Sequence, residues 1–174
     1  MKHIIIIGGG FAGSRAAQRL EKHFKVTLID DKDYFEFTPS VPRVVIEPDH
    51  RKRIEVKHRD YLKETTFING TVKEVHEHSL TLVDGKNITF DYLFICSGSK
   101  YSQPFKERNV ISSTRGFHLG AVHDQLVLAK KVLVVGGGPV GVEIAAEIIH
   151  KYPKKEVTLV HAMQRLIERS PESA

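Results

Sequence analysis

The fold is decided near the start of the chain, where residues 4–13 read IIIIGGGFAG. Four consecutive isoleucines without polar alternation are typical of a strand that is buried on both faces of a parallel sheet. The glycines that follow have the spacing G-x-G-x-x-G, and the pattern then becomes helical from Phe11 to Phe24. A second apolar strand, Lys25 to Asp30, ends in an acid. This order of strand, glycine turn, helix and strand predicts a β-α-β unit.

Each glycine of this motif has a separate physical role. Gly8 makes the tight turn, Gly10 lets the backbone approach a pyrophosphate, and Gly13 lets the helix pack closely on the strand. The helix then directs its N-terminal N–H groups and the positive end of its dipole at the phosphates. Asp30 is placed to accept hydrogen bonds from a ribose. In this context the motif predicts a dinucleotide site.

The same unit recurs late in the chain. A strand from Lys131 to Val135 runs into Gly136, Gly138 and Gly141, and a helix and a further strand follow. A repeat of this kind indicates a second nucleotide-binding unit. Its last strand ends in His161 rather than in an acid, which removes the repulsion that an acid would exert on a 2′-phosphate. NADPH and NADH therefore both remain open as ligands.

The region between the units is less regular. Residues 31–48 contain three prolines and are expected to be loop. Residues 53–87 are expected to form a β-meander, with partial alternation over Thr66–Val75 and Ser79–Val83 and a tight turn at Asp84-Gly85. A buried strand, Asp91 to Cys96, precedes a loop and a helix over about 118–130. The predicted fold class is α/β: a Rossmann-like parallel sheet with an inserted β-meander, followed by an incomplete second Rossmann-like β-α-β unit.

Composition favours a soluble globular protein in a reducing compartment. The 174 residues are 41% hydrophobic and 27% charged, and a single cysteine excludes an internal disulfide. No signal peptide is visible, so the cytoplasm is the expected location. The net charge of +5 permits contact with phosphates or with an anionic membrane surface. The basic clusters His50–Arg53 and Lys57–Arg59 are interpreted as a solvated loop and strand edge rather than as a binding patch.

Other reactive side chains have two interpretations. Glu143 is expected on the first turn of the second glycine-motif helix, where it is either a favourable charge at a helix N-terminus or a group near a nicotinamide. His76 and His78 are interpreted as a solvated strand face, and no metal site is predicted. Cys96 is interpreted as inert core.

The sequence resembles the flavoproteins with two dinucleotide domains: type II NADH dehydrogenases, apoptosis-inducing-factor-like proteins and disulfide reductases. The motifs that carry the resemblance are Ile6–Gly13 with Asp30, Ser97-Gly98-Ser99 at a strand end, and Val134–Glu143. The segment Tyr152–His161 is most similar to the ferroptosis-suppressor branch of the apoptosis-inducing-factor-like group.

The resemblance implies that the first unit binds FAD, that the second binds NAD(P)H, and that the flavin passes electrons to a quinone-like acceptor. It implies a role for Glu143 near the reactive end of the nicotinamide, and this is the candidate catalytic residue. The implied FAD-binding residues are Gly8, Gly10, Phe11, Ala12, Gly13, Asp30, Lys32, Val72, Ser97 and Gly98. The implied residues for the nicotinamide nucleotide are Gly136, Gly138, Pro139, Val140, Gly141 and His161.

Two features depart from the family pattern. Residues 31–48 lack the redox Cys-x-x-x-x-Cys of disulfide reductases, so dithiol chemistry is not expected. The segment after Lys131 holds one β-α-β unit, which is too little to cover both faces of a parallel sheet. We therefore expect an FAD-binding domain over 1–115, a connecting helix or linker over 116–130, and an incomplete NAD(P)H-binding domain over 131–174, with activity impaired in so short a chain.

The expected partners are a small-molecule, quinone-like electron acceptor and either a second copy of the chain or a missing remainder of it. Peripheral membrane contact is allowed by the charge, and no specific nucleic acid is expected. The alternative hypothesis is a non-catalytic nucleotide-binding or signalling module of the apoptosis-inducing-factor-like type.

Overall fold

A computed structural model describes residues 1–99 and 112–168 of the chain, with only the backbone for 112–118. The chain divides into two compact units. The first comprises Met1–Thr38 and Arg53–Arg115, and the second comprises Pro39–Lys52 and Gly116–Ala174. The loop expected directly after Ser99 lies outside the described residues.

The helices and strands alternate over much of the chain. The strands are β1 His3–Ile7, β2 Lys25–Asp30, β3 Tyr34–Glu36, β4 Glu55–Lys57, β5 Thr66–Asn69, β6 Val72–Val75, β7 Ser79–Leu82, β8 Asn87–Thr89, β9 Tyr92–Ile95, β10 Lys131–Val135 and β11 Glu156–Val160. The helices are α1 Phe11–Leu20, α2 Val41–Ile46, α3 Arg51–Ile54, α4 His58–Tyr61, α5 Ser112–Leu128 and α6 Pro139–Lys151.

The first unit is built on a four-stranded parallel sheet in the order β5-β2-β1-β9. In this register Ile5 of β1 lies beside Thr27 of β2 and Leu93 of β9. A separate antiparallel sheet has the order β6-β7-β8. The predicted α/β fold with a parallel sheet is confirmed.

The isoleucine run forms the centre of two cores, one on each face of the parallel sheet. Ile4 and Ile6 belong to a cluster with Ala17 of α1, and Ile5 belongs to a cluster with Leu80 and Leu82 of β7. Successive side chains of a strand point to opposite faces, so helix and antiparallel sheet each cover one side. Burying each such side chain stabilises the fold by about 1.5–3 kcal/mol. This two-sided burial is why β1 lacks polar alternation.

Several predicted boundaries are wrong. Helix α1 ends at Leu20 rather than at Phe24, because the chain turns at Glu21 to enter β2, although Phe24 still packs against the core. Residues 31–48 are not simply loop, since they contain β3 and α2. Helix α2 accommodates Pro42 in its first turn, where the missing N–H has no helical partner to lose.

The antiparallel sheet β6-β7-β8 covers a shorter stretch of the sequence than the meander expected over residues 53–87. Thr66–Val75 forms two strands, of which β5 joins the parallel sheet and β6 the antiparallel one. The change of direction falls at Gly70, whose N–H donates to the Asp30 carbonyl. The tight turn at Asp84-Gly85 is confirmed: Gly85 has φ +88° and donates to the Leu82 carbonyl at 3.0 Å. His76 and His78 are exposed, but they lie in the turn between β6 and β7 rather than on a strand.

The second unit contains the parallel pair β10 and β11, against which α6 packs. The buried residues of α6 are Ile144, Ala145 and Ile148. Helix α2 packs against α6 within the same unit. Leu133 and Val135 of β10 are 62% and 77% exposed. The strand therefore alternates between half-buried and exposed residues, unlike β1. Within the described ranges, no helix has the length and apolar character needed to cross a membrane.

Candidate nucleotide-binding sites

The first glycine turn joins β1 to α1 and leaves no room for side chains at three of its positions, Gly8, Gly9 and Gly13. Gly8 has φ +99°, and a Cβ there would lie 2.4 Å from the Cys96 carbonyl oxygen. A Cβ on Gly13 would lie 1.8 Å from the Gly8 carbonyl oxygen. Around the corresponding position of Gly10 there is open space. The turn thus combines a closely packed base with an accessible backbone at Gly10.

Asp30 fixes this turn from the end of β2. Its buried carboxylate accepts the N–H of Gly9 through Oδ2 and, at 2.8 Å, the N–H of Lys32 through Oδ1. The Lys32 ammonium lies 3.4 Å from Oδ1 and 3.6 Å from the carboxylate of Asp31. Burial, together with the adjacent Asp30 carboxyl, raises the pKa of Asp31. Lys32 therefore balances two neighbouring acids at the strand end.

Three hydrogen-bonded side chains support the turn at the Gly9 carbonyl. The Ser14 hydroxyl donates to the Gly9 carbonyl at 2.7 Å, and the Tyr61 hydroxyl donates to Ser14 at 2.8 Å. His58 Nδ1 lies 2.6 Å from the Tyr61 oxygen, and the ring is fully buried. The interpretation of Lys57–Arg59 as a solvated edge is wrong at His58, because α4 turns this side chain into the core beside Phe67.

Helix α1 begins in a way that suits an anion and an apolar group. Its N-cap is Gly10, which has no side chain to accept the first N–H groups, and its first turn contains no acidic residue. Phe11 is 51% exposed and makes edge contacts with Phe35 and Phe37, with centroids 5.1 and 5.6 Å apart. Ala12 follows Phe11 in the first turn. The N–H groups of this turn are the natural donors to a phosphate.

The remaining residues predicted for FAD lie on neighbouring strands of the first unit. Ser97 follows β9, and its Cα is 3.1 Å from the point where a Cβ of Gly8 would be. Gly98 has φ +71°, a backbone conformation that favours glycine. Val72 begins β6, where its side chain packs against the core cluster that contains Ile29. The structure thus brings Ser97 to the turn directly, whereas Val72 is held two residues beyond Gly70.

The second glycine turn repeats this geometry in the second unit. Gly136 has φ +110°, a Cβ on Gly141 would lie 1.8 Å from the Gly136 carbonyl oxygen, and a Cβ on Gly138 would meet open space. His161 accepts the Gly137 N–H on Nδ1 at 3.0 Å. Pro139 and Val140 are the first two residues of α6. The turn therefore fits a dinucleotide phosphate in the same way as the first.

Glu143 does not lie on the first turn of α6, which contains no acidic residue. It lies one turn further along and lines a cavity of about 530 Å³ in the second unit. The interpretation as a charge at the helix N-terminus is therefore wrong, because the dipole acts within the first turn. The other residues that line the cavity are Pro39, Ser40, Pro42, Arg43, His50, Ala146, Glu147 and His150.

Sequence reasoning did not identify the side chains beneath the first turn. Ser14 follows Gly13 directly and could have been noticed as a hydroxyl one residue beyond the motif. His58 and Tyr61 are separated from it by more than 40 positions, and nothing in their local pattern indicates the contact. Cys96 is half-buried, and burial raises the pKa of its thiol, in agreement with an inert residue.

Comparison with known proteins agrees with this geometry. The chain is 40% identical over 174 residues to apoptosis-inducing factor homolog A of Dictyostelium discoideum, covering 95% of this chain and 43% of that protein. It is 32% identical over 173 residues to ferroptosis suppressor protein 1 of Homo sapiens, covering 96% and 46%. The chain thus spans less than half the length of these curated relatives.

Solved structures share the fold. NDH2 from Plasmodium falciparum in complex with NADH superposes with a TM-score of 0.77 at 19% identity, covering 99% of this chain and 44% of that one. The sulfide:quinone oxidoreductase of Aquifex aeolicus superposes with a TM-score of 0.71 at 25% identity, covering 95% and 44%. A family model described as pyridine nucleotide-disulphide oxidoreductase matches residues 2–174. The chain belongs to the pyridine nucleotide-disulphide oxidoreductase family.

Proposed function

We propose that this chain binds FAD at its first glycine turn and NAD(P)H at its second, as part of a flavoprotein oxidoreductase that reduces a quinone-like acceptor. One observation carries the proposal: in both units a side chain at the end of the second strand accepts the N–H of the middle glycine of the turn. Asp30, at the end of β2, accepts the N–H of Gly9, and His161, directly after β11, accepts the N–H of Gly137. The family match supports the same pair of cofactors, as do neighbours with NADH bound.

In the first unit the chain's own contribution is binding and orientation. Gly10 and the first turn of α1 would receive the FAD diphosphate, with Asp30 and Lys32 near the adenosine and Ser97-Gly98 beside the turn. Val72 would meet the adenine by its backbone. When bound, FAD supplies the capacity to accept a hydride and to release electrons to a second substrate.

In the second unit Gly138 and the first turn of α6 would receive the phosphates of the nicotinamide nucleotide. His161 accepts the Gly137 N–H on Nδ1, so the neutral ring has its proton on Nε2 and can donate a hydrogen bond there. A donor at this strand end suits a ribose hydroxyl or a 2′-phosphate equally. We propose that both NADH and NADPH are accepted, and that Glu143 lies near the reactive end of the nucleotide.

The arrangement into a FAD-binding domain over 1–115, a connector over 116–130 and the start of a NAD(P)H-binding domain over 131–174 is part of this proposal. The exposed Leu133 and Val135 support impaired turnover by this length of chain, because a parallel strand is normally covered on both faces. A quinone-like acceptor is supported by the similarity to a sulfide:quinone oxidoreductase. A cytoplasmic location, at a membrane surface or away from it, completes the proposal.

The test is a visible absorption titration of the purified chain with FAD, followed by NADH and NADPH oxidation with a soluble quinone. We expect a perturbed flavin spectrum and saturable binding. Gly138→Glu, which places a negative charge at the second turn, serves as a matched control: it is expected to abolish nicotinamide nucleotide binding and to leave FAD binding unchanged. Slow turnover is the expected outcome. Absence of FAD binding would overturn the proposal, and binding of both nucleotides with no turnover at all would favour the non-catalytic module.

A further inference from the structure

The carbonyl side of the first glycine turn is supported by a chain of three polar side chains. Ser14 donates to the Gly9 carbonyl at 2.7 Å, Tyr61 donates to Ser14 at 2.8 Å, and His58 Nδ1 contacts the Tyr61 oxygen at 2.6 Å. Ser14 and His58 are both buried. Residues on α1 and α4 thus converge beneath one peptide group.

If all three of these hydrogen bonds are made, their donors and acceptors can be assigned in only one way. Ser14 has one hydroxyl proton, which goes to the Gly9 carbonyl, so Tyr61 must donate to Ser14. His58 must then donate from Nδ1 to Tyr61, which leaves Nε2 without a proton in the neutral ring. We refer to the contacts from His58 through Tyr61 and Ser14 to Gly9 as the relay.

The neutral state of His58 agrees with its surroundings. Burial, followed by the Lys32 ammonium, lowers the pKa of His58 to about 4, against smaller opposing effects of the Lys32 carbonyl and the Asp33 carboxylate. Within the described residues Nε2 is buried and makes no hydrogen bond. An unpaired buried acceptor costs about 1–3 kcal/mol. Packing alone would favour an apolar ring at this position.

The relay determines the direction of a second group. In a trans peptide the C=O and N–H point in opposite directions. Because Ser14 holds the Gly9 carbonyl inward, the N–H of Gly10 in the same peptide is directed outward, where Gly10 is exposed and bordered by open space. Asp30 holds the N–H of Gly9 itself, so the two peptides that flank this residue are both fixed.

The second turn has no such relay. The position that corresponds to Ser14 is Val142, and the Gly137 carbonyl accepts the N–H of Ile167 at 2.8 Å instead. The polar support is therefore a property of the first turn and not a general requirement of the β-α-β unit.

We propose that His58, Tyr61 and Ser14 are positioning residues that fix the Gly9–Gly10 peptide and aim the Gly10 N–H at the diphosphate of the bound flavin nucleotide. The inference rests on the proposed FAD site and assigns roles to three residues outside the glycine motif.

The test compares Ser14→Ala, Tyr61→Phe and His58→Phe by titration of the 174-residue chain with FAD and with ADP. Each variant is expected to raise both dissociation constants about five- to tenfold, the loss of roughly one hydrogen bond. Because the three bonds act in series, the double variant Ser14→Ala/Tyr61→Phe is expected to equal Ser14→Ala alone. Additive effects, or unchanged dissociation constants, would overturn the relay.

Thr65→Val is the matched control, since it removes a 2.8 Å hydrogen bond from Thr65 to Glu21 in the same unit without touching the turn. It is expected to lower the melting temperature and to leave FAD affinity unchanged. His58→Phe is expected to weaken FAD binding without lowering the melting temperature, because the substitution also removes the unpaired Nε2. If His58→Phe instead behaves like Thr65→Val, with a lower melting temperature and unchanged FAD affinity, His58 has a merely structural role and the proposal is contradicted.

Failure of the proposed function has a different signature. If the unchanged chain binds neither FAD nor ADP, the flavin site is refuted for this chain, and the relay is decided by the amide resonance of Gly10 in the nucleotide-free protein. All three relay variants are expected to shift the Gly10 amide resonance, whereas Thr65→Val is expected to leave it unchanged. An unshifted resonance would overturn the relay independently of any ligand.

Discussion

Nδ1 of His161 accepts the backbone N–H of Gly137 at 3.0 Å, in the place where the carboxylate of Asp30 accepts the N–H of Gly9. The two contacts are made 24 and 21 residues along the chain from their glycines. An imidazole and a carboxylate thus perform the same structural task. They differ in what they offer to a ligand, because the imidazole carries a donor on Nε2 and the carboxylate carries none.

This difference predicts nucleotide selectivity. His161→Asp is expected to keep the contact to Gly137 through a carboxylate oxygen but to repel a 2′-phosphate. The dissociation constant for NADPH should rise at least about tenfold more than that for NADH, a difference of about 1.4 kcal/mol. Isothermal titration with both nucleotides measures it. His161→Asn, which is uncharged, is the control, and equal losses for NADH and NADPH in His161→Asp would contradict the prediction.

Gly13→Ala is expected to destabilise the first unit strongly. The new Cβ would lie 1.8 Å from the Gly8 carbonyl oxygen, so β1 and α1 would have to separate. Overpacking of this kind costs about 1–3 kcal/mol, and a backbone neighbour places it at the upper end. Urea unfolding measures the free energy of unfolding. Gly120→Ala, which meets open space on helix α5, should instead stabilise by up to about 1 kcal/mol.

Glu21 links the end of α1 to residues 63–65 and predicts an acid-sensitive stability. Its carboxylate accepts the three backbone N–H groups at 3.0 Å and the Thr65 hydroxyl at 2.8 Å. Burial opposes ionisation, but these hydrogen bonds outweigh it and lower the pKa of Glu21. The stabilisation is therefore present above the ordinary pKa of about 4.5 and is lost as the pH falls through the lowered value.

Glu21→Gln should lower the free energy of unfolding at pH 7 by about 1–3 kcal/mol, since a neutral amide accepts these bonds less strongly. Thermal melts at pH 7 and pH 3.5 measure the effect, which should shrink at the lower pH. An exposed acid that lacks this arrangement, Glu77→Gln, is the control. A loss of stability that is the same at both pH values would argue against an ionised Glu21.

His58 predicts a second pH dependence, at higher pH. Its pKa in the folded protein is about 4, against 6.5 for an ordinary histidine, so the unfolded chain binds more protons between these values. Stability should then be complete above pH 6.5 and fall by roughly 2 kcal/mol as the pH decreases towards 4. Urea unfolding from pH 7 to pH 4.5 measures this slope. His58→Phe should reduce it, whereas the exposed-residue variant His78→Phe should not.

Much of both glycine turns can be predicted from the sequence. The turn glycines, the strand ends at Asp30 and His161, and the helices behind the turns all follow from local patterns of apolar residues and glycine spacing. The predicted boundaries were less accurate. The helical pattern extends to Phe24 but α1 ends at Leu20, and Thr66–Val75 divides between two sheets. Alternation along a strand does not indicate which sheet the strand joins, because both environments bury alternate residues.

By itself the sequence determined that this protein has two β-α-β units with glycine turns, since the steric demands of such turns are met by few residue types at fixed spacing. Only the tertiary structure decided that His58 lies beneath the first turn, because α4 brings Tyr61 to Ser14 of α1 and His58 contacts Tyr61. Contacts of that kind join residues more than 40 positions apart. They depend on packing of whole elements, which local sequence patterns do not encode.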